Sequence, residues 1–222
     1  MNPLFDFSID ARNGVNSIFP TTEGEKMKTG TALLSVYHKE GIVDFARKLT
    51  ECGWDLLASD GTAKALRAAG VAVRDVADIV GEPILGHRVV TLSREIHAAL
   101  LARKDSPEDM DELARIGVPY IDMVCVDLYP LKEEIAKPEA TRASVIEKTD
   151  VGGPTMLHSA AKGERIVICD PADRNRVLQW LDDGCPNGQE FVDTLAAKAD
   201  AVVADYCLTA SRYRGGKSDE TN

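Results

Sequence analysis

The chain has 222 residues, a formal net charge of −10 and few aromatic side chains (5%). This acidic balance argues against general nucleic-acid binding, which needs a basic face, and no apolar stretch is long enough to cross a membrane. The length allows a substantial buried core, and the aliphatic composition is typical of an α/β protein with a parallel sheet.

The first part of the chain alternates strands and helices. Residues 1–30 are polar and lack the apolar segment of a secretory signal, so they are predicted to form an N-terminal extension. Hydrophobic periodicity then predicts a strand over 31–36, a helix over 41–51, a strand over 54–58, a helix over 62–69 and a strand over 71–76. The alternation indicates a parallel, doubly wound sheet.

The remainder of the chain continues this pattern after an irregular segment over 79–90. Helices are predicted over 92–103, 106–116, 173–181 and 191–206, and strands over 123–126 and 166–169. A Gly-Gly-Pro turn predicts one more helix, beginning at Pro154 and ending at Lys162. Residues 31–213 are predicted to form one domain and residues 214–222 a polar tail.

The five cysteines are odd in number and include no Cys-x-x-Cys pair. This usage indicates reduced thiols and a cytoplasmic location. No cluster of His, Cys or Asp has the spacing of a zinc site, so no metal is expected.

Polar residues follow the predicted strands, where ligands of open α/β sheets bind. Lys39 follows the first strand, although its segment alone favours a solvated loop. The turn Ser59-Asp60-Gly61-Thr62 precedes a helix whose N–H groups suit a phosphate, but such a turn is also typical of a simple helix cap.

Three further candidates lie in later loops. Arg88 offers paired N–H groups for a phosphate or a carboxylate. Tyr129 follows an apolar strand. Two interpretations stand: it donates a hydrogen bond to a ligand or stacks on it, or it only fills space in a packed loop. Asp150 and Lys162 flank the Gly-Gly-Pro helix, and we expect this carboxylate and ammonium to face one pocket.

Taken together, these motifs resemble the IMP cyclohydrolase domain of the bifunctional purine biosynthesis protein, the AICAR transformylase/IMP cyclohydrolase. The resemblance runs from about residue 31 to about residue 213 and leaves out the transformylase domain. The matching segments are Leu34-Ser-Val36 with Lys39 and Gly41, Gly61-Thr-Ala63, Arg88-Val89 with Thr91-Leu92, Leu128-Tyr-Pro130, and Asp150-Val-Gly-Gly-Pro-Thr155 with Ala160-Ala-Lys162. The fold that it implies is a methylglyoxal-synthase-like, Rossmann-like three-layer α/β sandwich with a mainly parallel sheet.

The resemblance also implies a reaction. The domain closes the ring of 5-formamidoimidazole-4-carboxamide ribotide to give IMP and water, without a metal or redox cofactor, mainly by positioning and acid–base work. In that role Asp150 orients or deprotonates the carboxamide, and Tyr129 and Lys162 stabilise the oxyanion or deliver a proton. The residues implied at the phosphate are Ser35, Lys39, Ser59, Gly61 and Thr62, and those at the reacting end are Arg88, Thr91, Tyr129, Asp150, Gly152 and Lys162. Asp127 is a further expected substrate- or phosphate-binding residue.

Several positions depart from the family pattern. The family's catalytic lysine is replaced by Val90, a glycine of the phosphate turn by Asp60, and the Asn before Leu-Tyr-Pro by Asp127. The family's Ser-Asp-Lys-Thr-Gly becomes Tyr37-His38-Lys39-Glu40-Gly41, and the Asn after the late lysine becomes Gly163. One positive charge is lost and two negative charges are gained, which predicts weaker binding of a phosphate dianion or a different ligand.

Two alternatives therefore stand beside ring closure on the ordinary ribotide. One is a remodelled homologue that acts on another purine-like nucleotide or nucleoside in specialised metabolism, and the other is a non-catalytic nucleotide-binding module. A methylglyoxal synthase fits the fold alone but not the Gly-Gly-Pro-Thr and Leu-Tyr-Pro motifs. Expected partners are a small-molecule nucleotide, a second copy in a homodimer and a separate transformylase.

Overall fold

The fold is built on five parallel strands. A computed structural model describes residues 29–215, and its sheet has the strand order β3-β2-β1-β4-β5. The strands are β1 (Gly30–Ser35), β2 (Trp54–Ala58), β3 (Arg74–Asp75), β4 (Met123–Val126) and β5 (Ile166–Ile168). The predicted α/β sandwich with a parallel sheet is confirmed.

Helices connect the strands and cover both faces of the sheet. Their bounds are α1 (Ile42–Glu51), α2 (Asp60–Ala68), α3 (Ala77–Val80), α4 (Arg94–Leu101), α5 (Pro107–Ile116), α6 (Leu131–Ala136), α7 (Arg142–Glu147), α8 (Gly152–Lys162), α9 (Asp173–Asp182) and α10 (Gly188–Tyr213). Within residues 29–215, no helix is both long and apolar enough to cross a membrane.

Alternate strand residues feed two separate cores, because successive side chains of a strand point to opposite faces. On β1, Ala32 and Leu34 pack with α1, α2 and α9, whereas Leu33 packs with α4, α8 and α10. All three side chains are fully buried. The sheet is therefore the middle layer of a three-layer sandwich.

The register brings the carboxyl ends of three strands to one level. Leu34 of β1 is paired with Ala58 of β2 on one side and with Cys125 of β4 on the other. The segments that follow, over 36–41, 59–62 and 127–130, consequently meet at the same edge of the sheet.

The structure corrects several predicted boundaries. The predicted strand over 71–76 shrinks to β3, because only its last residues pair with Leu57 and Ala58 of β2. The Gly-Gly-Pro helix begins at Gly152, two residues before Pro154, and α10 is longer than the predicted 191–206.

Other differences lie in the loops and at the ends. Helices α6 and α7 occupy a stretch for which no element was predicted, and α3 enters the segment predicted to be irregular. Gly30 of the predicted extension already belongs to β1, whereas residues 1–28 and 216–222 lie outside the described residues.

Helices α4 and α8 cross with almost no space between them. A Cβ atom on Gly163, just after α8, would overlap the backbone oxygen of Leu100 in α4. Beside this crossing the buried guanidinium of Arg165 donates to the carbonyl oxygens of Gly163, at 2.6 Å, and of Ala102. Arg165 thus satisfies carbonyl groups that both helix ends leave unpaired.

Candidate active site

Hydroxyl groups line the edge between β1 and α2. The Oγ atoms of Ser35 and Ser59 are 2.9 Å apart. The Thr62 hydroxyl accepts from the Val36 amide at 3.2 Å and contacts the Val36 carbonyl at 3.3 Å. Thr62 therefore ties the first turn of α2 to the end of β1, and Ser35 and Ser59 stand side by side next to it.

The Lys39 ammonium folds over this edge. Its Nζ donates to the Val36 carbonyl and lies 3.5 Å from the Thr62 hydroxyl. A Cβ atom on Gly61 would be 3.9 Å from the same Nζ. Burial lowers the pKa of Lys39, partly offset by the negative charges of Asp127 and Glu40. Five predicted phosphate contacts, Ser35, Lys39, Ser59, Gly61 and Thr62, are thus brought together.

The acidic substitution in the phosphate turn is compensated locally. The Asp60 carboxylate forms an ion pair with Lys64 one helical turn later, at 2.8 Å, and both side chains are exposed. Its charge is therefore engaged along the outer face of α2.

The Asp127 side chain binds the backbone of the loop after β1. Its carboxylate accepts the backbone N–H groups of Tyr37 and of His38, the latter at 3.0 Å. The charge predicted to oppose a phosphate is thus already satisfied by two backbone donors. Asp127 is an anchor for residues 37 and 38.

Tyr129 lies between this loop and the start of α8. Its ring meets the Tyr37 ring edge-on, with centroids 5.3 Å apart, and Lys148 Nζ lies 5.6 Å from its centroid. Burial raises the pKa of Tyr129, and the nearby Asp150 and Tyr37 add to this shift. The phenol therefore stays protonated and able to donate near neutral pH.

Asp150 sits at the entrance of α8. Its Oδ1 accepts the Gly153 amide at 3.0 Å. A Cβ atom on Gly153 would lie 2.5 Å from Asp150 Oδ2, so only glycine allows this approach. Burial raises the pKa of Asp150 although backbone N–H groups, including those of Gly153 and Tyr129, act to lower it. A carboxyl group with a raised pKa is suited to accept a proton.

Tyr206 of α10 holds the Asp150 segment from behind. Its hydroxyl accepts the Asp150 amide at 2.8 Å and lies 3.3 Å from the Lys148 carbonyl. Burial raises the pKa of this tyrosine to about 12. Sequence reasoning missed Tyr206, because a tyrosine in an apolar late helix gives no sign of a partner 56 residues earlier.

The loop before α4 reaches the same end of α8. Thr91 Oγ1 would be 3.0 Å from a Cβ atom on Gly152, so these two predicted site residues are adjacent. Arg88 is an exposed side chain that pairs with Glu147 of α7 at 3.0 Å. Its partner Glu147 lies three residues before Asp150 in the sequence.

Val90 occupies a different environment from its neighbours in this loop. Its side chain is partly buried and packs against the second core, the one that contains Leu33. The position at which the family carries its catalytic lysine is therefore part of the apolar packing here.

Lys162 is not brought to the site. It is exposed at the last residue of α8, whereas Asp150 precedes the first. Eleven residues at a rise of about 1.5 Å each place the two ends of α8 roughly 15 Å apart. The expectation that Asp150 and Lys162 face one pocket within a single chain is wrong, because a straight helix separates them.

The assembled site has two chemically different halves. One is the hydroxyl-lined edge with Lys39 at the start of α2, where backbone N–H groups favour an anion. The other is the pair of Tyr129 and Asp150 at the start of α8, where Arg88 pairs with Glu147 of the preceding helix α7. Within residues 29–215, no group of three or more His, Cys, Asp or Glu side chains is arranged to hold a metal ion.

Known proteins show similarity to most of this chain. Residues 41–155 match the MGS-like domain family. A bifunctional purine biosynthesis protein PurH from Lacticaseibacillus casei (strain BL23) is 44% identical over 185 residues, which are 82% of this chain and 36% of that protein. This chain thus spans little more than a third of that relative's length.

A solved structure is also similar. The crystal structure of ForH superposes with a TM-score of 0.69 at 36% sequence identity, covering 82% of this chain and 97% of that one. Unlike the first relative, ForH matches nearly over its whole length.

Proposed function

This chain belongs to the MGS-like domain family, and we propose that it closes the ring of a formylated imidazole-carboxamide ribotide to form a purine nucleotide, as an IMP cyclohydrolase does. The support comes from its similarity to PurH and from the geometry at the start of α8. The observation that carries the proposal is Asp150, a carboxylate with a raised pKa seated beside the protonated phenol of Tyr129.

The two side chains have complementary tasks in this reaction. Asp150 accepts a proton from the carboxamide nitrogen as that nitrogen bonds to the formyl carbon. The Tyr129 hydroxyl donates a hydrogen bond to the formyl oxygen as negative charge develops there. Arg88, which Glu147 holds nearby, offers the carboxamide oxygen two N–H donors.

The hydroxyl-lined edge holds the other end of the substrate. The Ser35, Ser59 and Thr62 hydroxyls and the Lys39 ammonium lie around the first turn of α2. Backbone N–H groups and the helix dipole at this turn attract a phosphate group. Binding the phosphate there anchors the ribotide, so that ring closure becomes a reaction between two groups already held in place.

A second candidate is ring closure on a different purine-like nucleotide or nucleoside. Two observations favour it. Val90, which packs against the second core, stands where the family has a lysine. In addition, 97% of the ForH chain aligns with this chain, and ForH carries a different name from PurH. A substrate that carries less negative charge than the ribotide would suit a site without this lysine.

Turnover of the purified protein tests the proposal. The protein is incubated with the formylated ribotide, and IMP formation is followed by its absorbance. An Asp150→Asn variant, which keeps size and one acceptor oxygen, is the matched control and is expected to lose turnover. A wild-type rate no higher than the uncatalysed rate would rule out the ordinary substrate.

If the ribotide is not turned over, ligand stabilisation separates the second candidate from the first. Melting temperatures are compared for the ribotide, its dephosphorylated nucleoside and purine analogues. A ligand present at 100 times its Kd adds about 2.7 kcal/mol to the free energy of unfolding. Stronger stabilisation by an analogue than by the ribotide supports the second candidate.

A further inference from the structure

Three positions at which this chain departs from the family pattern come together in space. Tyr37 and His38 follow β1, and Asp127 follows β4, about ninety residues later in the sequence. The Asp127 carboxylate binds the backbone amides of both residues. Substitutions in two distant segments have therefore produced one contact cluster at the edge of the sheet that bears the candidate active site.

Within this cluster a carboxylate faces an imidazole. Asp127 Oδ2 lies 3.1 Å from Nδ1 of His38. The Asp127 side chain is only 10% exposed, whereas His38 is 49% exposed. A buried carboxylate, already fixed by two backbone amides, thus holds a half-exposed imidazole in one orientation.

This arrangement decides where the imidazole carries its proton. A carboxylate accepts hydrogen bonds and cannot donate them, so Nδ1 of a neutral His38 must hold the hydrogen. Its Nε2 then carries the ring's lone pair and lies on the side of the ring away from Asp127. The same logic makes the histidine of a serine hydrolase a base: the carboxylate sets the tautomer and stabilises the imidazolium.

The cluster adjoins the reacting half of the site. The His38 ring meets the Tyr37 ring edge-on at 5.0 Å, and Tyr37 in turn meets Tyr129 at 5.3 Å. The next residue in the loop is Lys39, which is affected by the negative charge of Asp127. His38 is therefore placed at the boundary between the hydroxyl-lined edge and the Tyr129–Asp150 pair.

We propose that His38, oriented by Asp127, is an acid–base residue of this chain and moves the protons of the dehydration step. This inference rests on the proposed ring closure. It assigns a proton carrier to a site in which the family's catalytic lysine is replaced by Val90, which packs against the second core.

The step balances as follows. After the carboxamide nitrogen has bonded to the formyl carbon, Asp150 returns the proton it took to the former formyl oxygen. That carbon then carries a hydroxyl group and is bonded to the N–H of the former formamide. Nε2 of His38 takes the proton from this nitrogen, whose electron pair forms the C=N bond. The imidazolium gives the proton to the hydroxyl as the C–O bond breaks, and water leaves. His38 returns to its starting form at the end of the step.

Kinetics of a His38→Gln variant test the proposal, with His158→Gln as the matched control. His158 also pairs with an aspartate, Asp200, at 2.8 Å, but on the α8–α10 surface. With the formylated ribotide, His38→Gln is expected to lower kcat about 100-fold or more, because general acid–base catalysis contributes 10²–10⁴-fold. KM should change little, and His158→Gln should match the wild type.

The Asp127→Asn variant distinguishes two roles of Asp127, which are to orient the His38 ring and to anchor the loop after β1. We expect it to lower kcat in the wild-type background and to have no further effect in His38→Gln, since both act on one proton transfer. If His38→Gln keeps the wild-type kcat while Asp127→Asn raises KM, the pair only anchors the loop and the proposal is overturned.

A spectroscopic test does not depend on turnover. ¹⁵N chemical shifts of the His38 ring in the wild-type protein report its tautomer, and we expect the hydrogen to be on Nδ1. A main form with hydrogen on Nε2 would overturn the proposal even if ring closure were confirmed. Absence of turnover in the wild type, with the Nδ1 tautomer present, would count against the proposed reaction and not against the pair.

Discussion

Replacement of Tyr206 by phenylalanine removes one hydroxyl group that two backbone groups of the candidate site share. This hydroxyl accepts the Asp150 amide at 2.8 Å and contacts the Lys148 carbonyl at 3.3 Å, and the tyrosine is only 9% exposed. A buried backbone group left without its partner costs about 1–3 kcal/mol. We expect the free energy of unfolding to fall by that amount.

Urea unfolding measures this loss, and a thermal scan should agree with it. For a domain of this size each kcal/mol lowers Tm by about 2–4 °C. Because the released amide belongs to Asp150, kcat for ring closure should fall as well, with a smaller change in KM. The two readouts link stability of the α7–α8 connection to the proton transfer at Asp150.

Tyr213→Phe is the matched control for this experiment. Tyr213 lies on the same helix and packs against the same small apolar cluster. Within residues 29–215, its hydroxyl group has no hydrogen-bond partner. The control should differ from the wild type by less than about 0.5 kcal/mol, as surface changes do. If Tyr206→Phe behaved like Tyr213→Phe in both assays, the bracing role of Tyr206 would be refuted.

Three other substitutions probe the same end of α8. Gly153→Ala would put a Cβ atom 2.5 Å from Asp150 Oδ2; we expect a loss of about 1–3 kcal/mol and a lower kcat, and wild-type values in urea unfolding and kinetics would contradict this. Because burial raises the pKa of Asp150 above 3.8, protonation favours the folded state, and the wild type loses stability as pH rises from 3.8 through the raised pKa. The Asp150→Asn side chain does not titrate, so the urea midpoint of this variant should rise relative to that of the wild type over that pH range, and its turnover should be abolished. If the two midpoints changed with pH in parallel, the raised pKa would be contradicted. Glu147→Gln frees the exposed Arg88 and should alter KM with less than about 1 kcal/mol of destabilisation; an unchanged KM would exclude Arg88 from substrate binding.

The fold was predictable where local pattern and tertiary packing agree. Continuous apolar runs such as 123–126 are buried on both faces, and this is what a central parallel strand requires. The segment over 71–76 also contains three valines, but it lies at the sheet edge, where pairing with β2 is confined to the charged residues Arg74 and Asp75. Short helices such as α6 were missed, because six residues give too few turns for a periodic signal.

The site was predictable to the extent that it lies at strand ends. Because parallel strands end at one edge, candidates from the loops after β1, β2 and β4 could be expected to meet there, and the structure brings them together. Contacts between residues that are far apart in the sequence were not predictable. The pairing of His38 with Asp127 and the bond from Asp150 to Tyr206 depend on how α10 and β4 are placed, which no local motif encodes.

The close crossing of α4 and α8 couples the residue at position 163 to the spacing of two helices. Gly163 stands where the resembling family has an asparagine, and the backbone oxygen of Leu100 fills the space that a side chain would need. An asparagine here would have to push two packed helices apart before its side chain could fit. The identity of residue 163 and the separation of the ends of α4 and α8 can therefore change only together.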